Sequence, residues 1–223
     1  GLDAVRAQEA LLQPSWRVGL AQHHLSMSML EQRRGNAMQA ADHARLHLAA
    51  ARTTAAPFFI IVWGSCAAGA LAEAGEYDEA RALIAEVRTA RQGTCFGCYD
   101  GLLLLDESYA DSLQFGESRA LDTLRTALAW ARRQNIPQFF RWLVRGLSPM
   151  LACALRHGIE ADYARSLVSA WHVRPPARDI PGWPWSMRIV TLGDFAVLRH
   201  DQPLKTGRKA PARLLDLLKA LVA

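Results

Sequence analysis

Residues 71–83, Leu-Ala-Glu-Ala-Gly-Glu-Tyr-Asp-Glu-Ala-Arg-Ala-Leu, decide how the chain is read. An apolar helical run ends at Gly75, and a second run with aliphatics at helical spacing begins at Tyr77. A glycine just past a helix end can take positive φ without strain, so Gly75 reads as a C-terminal cap. The same punctuation returns at Gly35, Gly116 and Gly158, at intervals of 40, 41 and 42 residues. Recurrence at this period is the signature of stacked helical hairpins. It places hairpins at 16–34 with 36–52, 57–74 with 77–92, 98–115 with 117–135, and 137–157 with 160–172. A further helix is expected over 1–13, closed by Pro14, with Ser15 placed to cap the next one.

The second hairpin resembles a tetratricopeptide repeat through Ala68, Gly75, Tyr77 and Ala80. In the other hairpins the small packing position falls on Ala40, Leu121 and Tyr163, and the repeat exceeds 34 residues. Long, degenerate repeats of this kind resemble the sensor superhelix of MalT-like activators, members of the signal-transduction ATPase family. The fold class expected is therefore mainly α, a TPR-like antiparallel helical-hairpin superhelix over 1–173, with a small truncated α/β unit at the C-terminal end.

That small unit follows a stiff stretch, 174–186, carrying four prolines and a glycine, which reads as the linker. Trp183 and Trp185 alternate with Pro184 there, so both could lie against one surface. From Met187 the hydrophobic period switches to two. Residues 188–192 and 195–199 are β-prone runs joined by Gly193-Asp194, the spacing of a two-residue hairpin turn. Asp201-Gln202-Pro203 reads as a second turn, Leu204-Lys205 as the start of a third strand, and Leu214, Leu217, Leu218 and Leu221 as one face of a helix. The run RIVTLGDFAVLRHDQPLKTGRKAPARLLDLLKALVA resembles the opening of an OmpR/PhoB-type winged-helix DNA-binding domain. Such a domain continues into a recognition helix and a wing, for which these residues leave no room. The resemblance implies a bacterial transcriptional activator that reaches DNA through the complete parent protein, with an ATPase module outside these residues.

Composition bounds the alternatives. With 51% hydrophobic and 21% charged residues the chain is globular. The net charge of +5 is concentrated in residues 187–223, which hold seven Lys/Arg against three Asp/Glu and include every lysine. Lys205, Arg208 and Lys209 are thus candidate phosphate contacts. Four cysteines at irregular spacing are no disulfide framework, and no signal peptide opens the chain. Thr53–Ala72 carries no charge, but Pro57 and the small residues 64–69 mark it as a buried helix of a cytoplasmic protein, not a membrane span.

Among chemistry-bearing residues, Cys95 and Cys98 supply only two of the four ligands a structural zinc site needs, and read as an available thiol pair. His43 and His47, at i, i+4, lack a companion Glu and read as a solvated helix face. Asp100, Glu107 and Asp111 form an acidic stripe, and Arg141 and Arg145 a basic one. First helices line the concave side of a solenoid. Trp16, Trp63, Asp100, Glu107, Arg141, Trp142 and Arg145 are therefore the candidate ligand-groove residues, with inter-repeat ion pairs as the plainer reading of the charges. Trp130 and Trp171 read as core. No phosphate loop, nucleophile motif or catalytic carboxylate pair appears, so neither an enzyme nor a cofactor or metal site is expected in these residues. The function expected is sensing or protein interaction: a protein or small-molecule inducer in the superhelix, self-association as a candidate, and no membrane. The alternative is a TPR-like scaffold for a protein or peptide partner with no transcriptional role.

Overall fold

The structure is a computed structural model. It describes residues 16–54, 57–135, 145–191, 195–199 and 202–204, with Leu217 and Ala220. The expected helix over 1–13 lies outside these residues. The protein is mainly helical with a small three-stranded antiparallel sheet. It divides into two compact units, Gly1–Pro181 and Gly182–Ala223.

The described helices of the first unit are α1 (Arg17–Arg34), α2 (Ala37–Arg52), α3 (Pro57–Glu73), α4 (Tyr77–Arg91), α5 (Asp100–Phe115), α6 (Glu117–Gln134), α7 (Leu147–Arg156) and α8 (Ala161–Trp171). A 3₁₀ turn, Phe96–Tyr99, leads into α5, so that helix begins two residues later than the sequence suggested. Consecutive helices pair as α1 with α2, α3 with α4, α5 with α6 and α7 with α8. Pro57 opens α3, the position where its missing N–H costs nothing.

Gly35, Gly75, Gly116 and Gly158 all take positive φ. At Gly35 the following amide, of Asn36, donates to the Glu31 carbonyl; Glu76 to Leu71 and Ile159 to Ala154 repeat the pattern. These are the 6→1 bonds of a Schellman turn, which satisfy carbonyls that the helix end leaves open. Gly116 differs. Its ψ of 168° sends the chain straight into α6 with no intervening residue.

A second recurrence lies inside the hairpins. Ser28 Oγ donates to the Ala40 carbonyl at 2.8 Å, and Ser108 Oγ to the Ala120 carbonyl at 3.1 Å, each twelve residues on. The small residue that lets the paired helices approach is Ala40, Ala80, Ala120 and Ala164, each fully buried. The third and fourth hairpins therefore use Ala120 and Ala164 rather than the adjacent Leu121 and Tyr163, which lie partly exposed. The sequence alignment was one residue out, because a one-residue shift on a helix moves a side chain by about 100° and only packing shows which face is inward.

α3 is the centre of the unit. Every residue from Ile60 to Ala72 is buried, and the helix packs against α1, α2, α4 and α5. Among the described residues no helix is long and apolar enough to cross a membrane. Ion pairs join the hairpins from outside. Arg45 pairs with Glu79 at 2.7 Å and Arg52 with Glu86 at 2.6 Å. Both residue numbers rise together, so α2 and α4 run in the same direction. Arg81 with Asp111, Arg88 with Glu107 and Arg91 with Asp100 pair at 2.9, 2.8 and 2.7 Å. Here one number rises as the other falls, so α4 and α5 are antiparallel. Such partly exposed pairs contribute roughly 0.2–1 kcal/mol each, enough to favour a register but not to hold the fold.

The second unit contains β1 (Met187–Val190), β2 (Ala196–Arg199) and β3 (Gln202–Pro203), in sheet order β1-β2-β3. Val190 pairs with Ala196 and Met187 with Arg199. That register leaves an odd number of residues between the strands, whereas a two-residue turn at Gly193-Asp194 requires an even number. Residues 192–194 themselves lie outside the described set. The one-residue difference reverses which side chains share a face: Val197 is buried and Ile189 stands opposite it. Gln202 and Pro203, expected as a turn, instead pair with Arg199 and Leu198, and the Leu204 amide donates to the Val197 carbonyl. Pro203 at the end of an edge strand leaves no ladder bond unmade. In the preceding stretch Trp183 is buried and Trp185 half-buried, with the Trp185 amide bonded to the Trp183 carbonyl. Leu217 and Ala220 are helical; the rest of the expected 214–222 helix lies outside the described residues.

Candidate functional site

Glu73 is the only charged residue in α3, and it is the last residue of that helix. Across from it, Tyr109 on α5 is 5% exposed, and its phenol donates to Glu73 Oε1 at 3.3 Å. Gln32, near the end of α1 and 1% exposed, lies close enough to act on the Glu73 carboxylate, and so does the charge of Arg145. The Arg145 guanidinium passes over the first turn, 3.8 Å from where a Cβ on Gly35 would sit. The first helices of three hairpins and the residue just ahead of α7 thus converge on one carboxyl group.

The electrostatics of this cluster are divided. Burial pushes the Glu73 carboxyl up to about 7, while Arg145, Tyr109 and Gln32 pull it down. The Tyr109 phenol is pushed up, first by burial and then by the neighbouring Glu73 charge. Glu73 Oε2 and Gln32 Oε1 are buried with no hydrogen-bond partner among the described residues. Two open acceptors beside a carboxyl that changes charge near neutrality suit recognition of a hydrogen-bond donor, an ammonium or amide group above all.

A second buried carboxyl lies deeper. Asp106 on α5 is 2% exposed and takes a hydrogen bond from Ser65 of α3. Burial raises its pKa well above the usual carboxylate range; Ser65 opposes this and Glu107 adds to it. The adjacent Cys66 thiol is raised by burial and then by Asp106. The hydrogen bond from Ser65 joins α3 to α5.

Of the groove residues drawn from the sequence, Arg145 alone joins the Glu73 cluster among those described. Asp100 and Glu107 are committed to Arg91 and Arg88 of α4, so the acidic stripe faces a neighbouring helix and not an open groove. Trp63 is buried in an aromatic cluster, with ring centroids 4.6 Å from Phe59 and 5.3 Å from His47, and is core rather than a stacking platform. Trp16 is 55% exposed at the start of α1. Arg141, Trp142, Lys205, Arg208 and Lys209 lie outside the described residues.

The histidine pair also divides. His47 is fully buried, with Nδ1 on the Ala21 carbonyl at 2.8 Å, and burial lowers its pKa; it is no solvated face. His43 instead meets His24, Nδ1 to Nδ1, at 3.2 Å. Cys95 is exposed, and the Cys98 side chain lies outside the described set. Trp130, expected as core, is only partly buried, with its ring filling a notch at Gly101.

Glu73, Tyr109 and Gln32 escaped the sequence reading. Glu73 carried a usable signal, a single charge closing a seventeen-residue apolar helix; Gln32 and Tyr109 carried none, because their significance lies in which helices meet. Compared with known proteins, the chain matches no family model, no curated protein and no solved structure.

Proposed function

We propose that this chain is the sensory or protein-interaction segment of a bacterial transcriptional regulator. A TPR-like superhelix receives a protein or small-molecule inducer in the cytoplasm, and the response passes to a C-terminal winged-helix DNA-binding domain. The observation that carries the reading is the joining, in one chain, of a helical-hairpin array to a small antiparallel sheet. Its strands Met187–Val190 and Ala196–Arg199 fall on the run that resembles a winged-helix opening.

The Glu73 cluster is where this reading places the inducer. Gln32, Glu73, Tyr109 and Arg145 come from all four hairpins, so a donor group bound to Glu73 Oε2 and Gln32 Oε1 would favour one relative arrangement of them. A ligand shifts an equilibrium by its differential affinity for the two states, and a site shared by all repeats supplies that difference. No chemistry is assigned to the site beyond binding.

The test is to read the gene on both sides of these residues. A helix-turn-helix and wing after residue 223, with a phosphate-binding loop upstream of residue 1, is the result expected. A stop codon after Ala223 would remove the DNA-binding role and leave the scaffold for a protein or peptide partner.

A further inference from the structure

Glu117 opens α6, in the third hairpin, and Cys153 and His157 lie one helical turn apart at the end of α7, in the fourth. Their ligand atoms, one oxygen, one sulfur and one nitrogen, all lie within 4.8 Å of one another. We propose that Glu117, Cys153 and His157 hold a thiophilic divalent cation, zinc being the ion whose chemistry fits the donor set.

The geometry needs little change. Bonds of about 2.0–2.3 Å to a tetrahedral zinc place ligand atoms of one ion roughly 3–4 Å apart. His157 Nε2 is already 3.7 Å from Glu117 Oε2, and the cluster as a whole lies within 4.8 Å. Arg156 bonds the other carboxylate oxygen, Oε1, and so orients Glu117 with Oε2 toward the histidine. A hydrogen-bonded outer partner of this kind is the usual companion of a ligating carboxylate.

The donor set discriminates among ions. Sulfur and imidazole favour zinc, cobalt and their neighbours over magnesium and calcium, which take oxygen. Three protein ligands leave one position for water, as in zinc sites that are not closed. An ordinary cysteine thiol, with a pKa of about 8.5, carries its proton at neutral pH. Coordination forms the metal–sulfur bond and releases that proton to solvent, so affinity rises with pH. The cation would tie the third hairpin to the fourth, apart from the Glu73 cluster.

Cobalt is the probe, because a thiolate ligand gives it a charge-transfer band in the near ultraviolet. The full 223-residue chain, stripped with a chelator, is titrated with cobalt and then with zinc. A band that saturates at one equivalent and is bleached by zinc is expected, together with its loss in Cys153→Ser. Cys95→Ser, which alters an exposed thiol elsewhere, should leave the band unchanged. Should Cys153→Ser fail to fold, His157→Ala decides, since the His157 side chain is 41% exposed: affinity falling roughly tenfold or more supports the site. No band in the wild-type chain, a band that disappears in Cys95→Ser instead, or unchanged affinity in His157→Ala would overturn it.

Discussion

The indole of Trp130 on α6 occupies the space that Gly101 leaves open on α5: a Cβ at Gly101 would lie 2.2 Å from Cε3 and 2.6 Å from Cζ3 of the ring. Three ring atoms are involved, so the whole indole must move to admit one methyl group. Alanine would otherwise strengthen the helix by about 1 kcal/mol. Overpacking of this severity costs about 1–3 kcal/mol and wins. Gly101→Ala is therefore expected to lower stability by up to about 2 kcal/mol in urea unfolding, and a second change, Trp130→Leu, to recover part of it. A Gly101→Ala chain as stable as the parent would show that α5 and α6 do not meet through this notch.

Ser65 and Asp106 form a pair whose value depends on both members. Removing the hydroxyl in Ser65→Ala leaves a buried carboxyl with neither oxygen satisfied among the described residues. Such an orphaned group costs about 1–3 kcal/mol. Replacing both, as Ser65→Ala with Asp106→Leu, exchanges a polar pair for apolar packing and is expected to be less harmful than the single change. A double-mutant cycle measures this directly. Additive effects of the two substitutions would remove the coupling between α3 and α5 inferred from the hydrogen bond.

Glu73 makes stability depend on pH in a defined window. Its carboxyl is raised to about 7 in the folded protein, against about 4.3 in an unfolded chain. The folded state thus holds the proton more tightly. Stability relative to a neutral side chain is full below about pH 4, declines as pH rises through the window, and levels off above about 7. Glu73→Gln should match the parent at pH 4 and exceed it by about 2–3 kcal/mol at pH 8, with partial exposure allowed for. Thermal unfolding of both chains across that range checks it. A parallel pH profile for the two would mean that the carboxyl is solvated and titrates normally.

The helix ends marked by glycine were legible because they depend on neighbours in the chain. Positive φ at Gly35, Gly75, Gly116 and Gly158 follows from local backbone geometry, and an apolar run interrupted by glycine carries that information in a few residues. β1 and β2 were legible for the same reason, since a period of two is local. Their register was not. It depends on the length of the connection, and the chain pairs Val190 with Ala196 where the two-residue turn would have paired it with Val197.

The sequence by itself determined a chain of helical hairpins followed by a small strand-bearing unit. Which charges face which was a tertiary decision. Asp100 and Glu107 looked like the wall of a groove, yet α4 brings Arg91 and Arg88 against them, and ion pairing between adjacent helices satisfies both. Glu73, Gln32, Tyr109 and Arg145 are scattered over more than a hundred positions and meet only because three successive hairpins stack and a fourth follows. Burial and electrostatic coupling are properties of surroundings. One-dimensional spacing reports which face of a helix is apolar, but only packing sets what that face, or the charge at its edge, will touch.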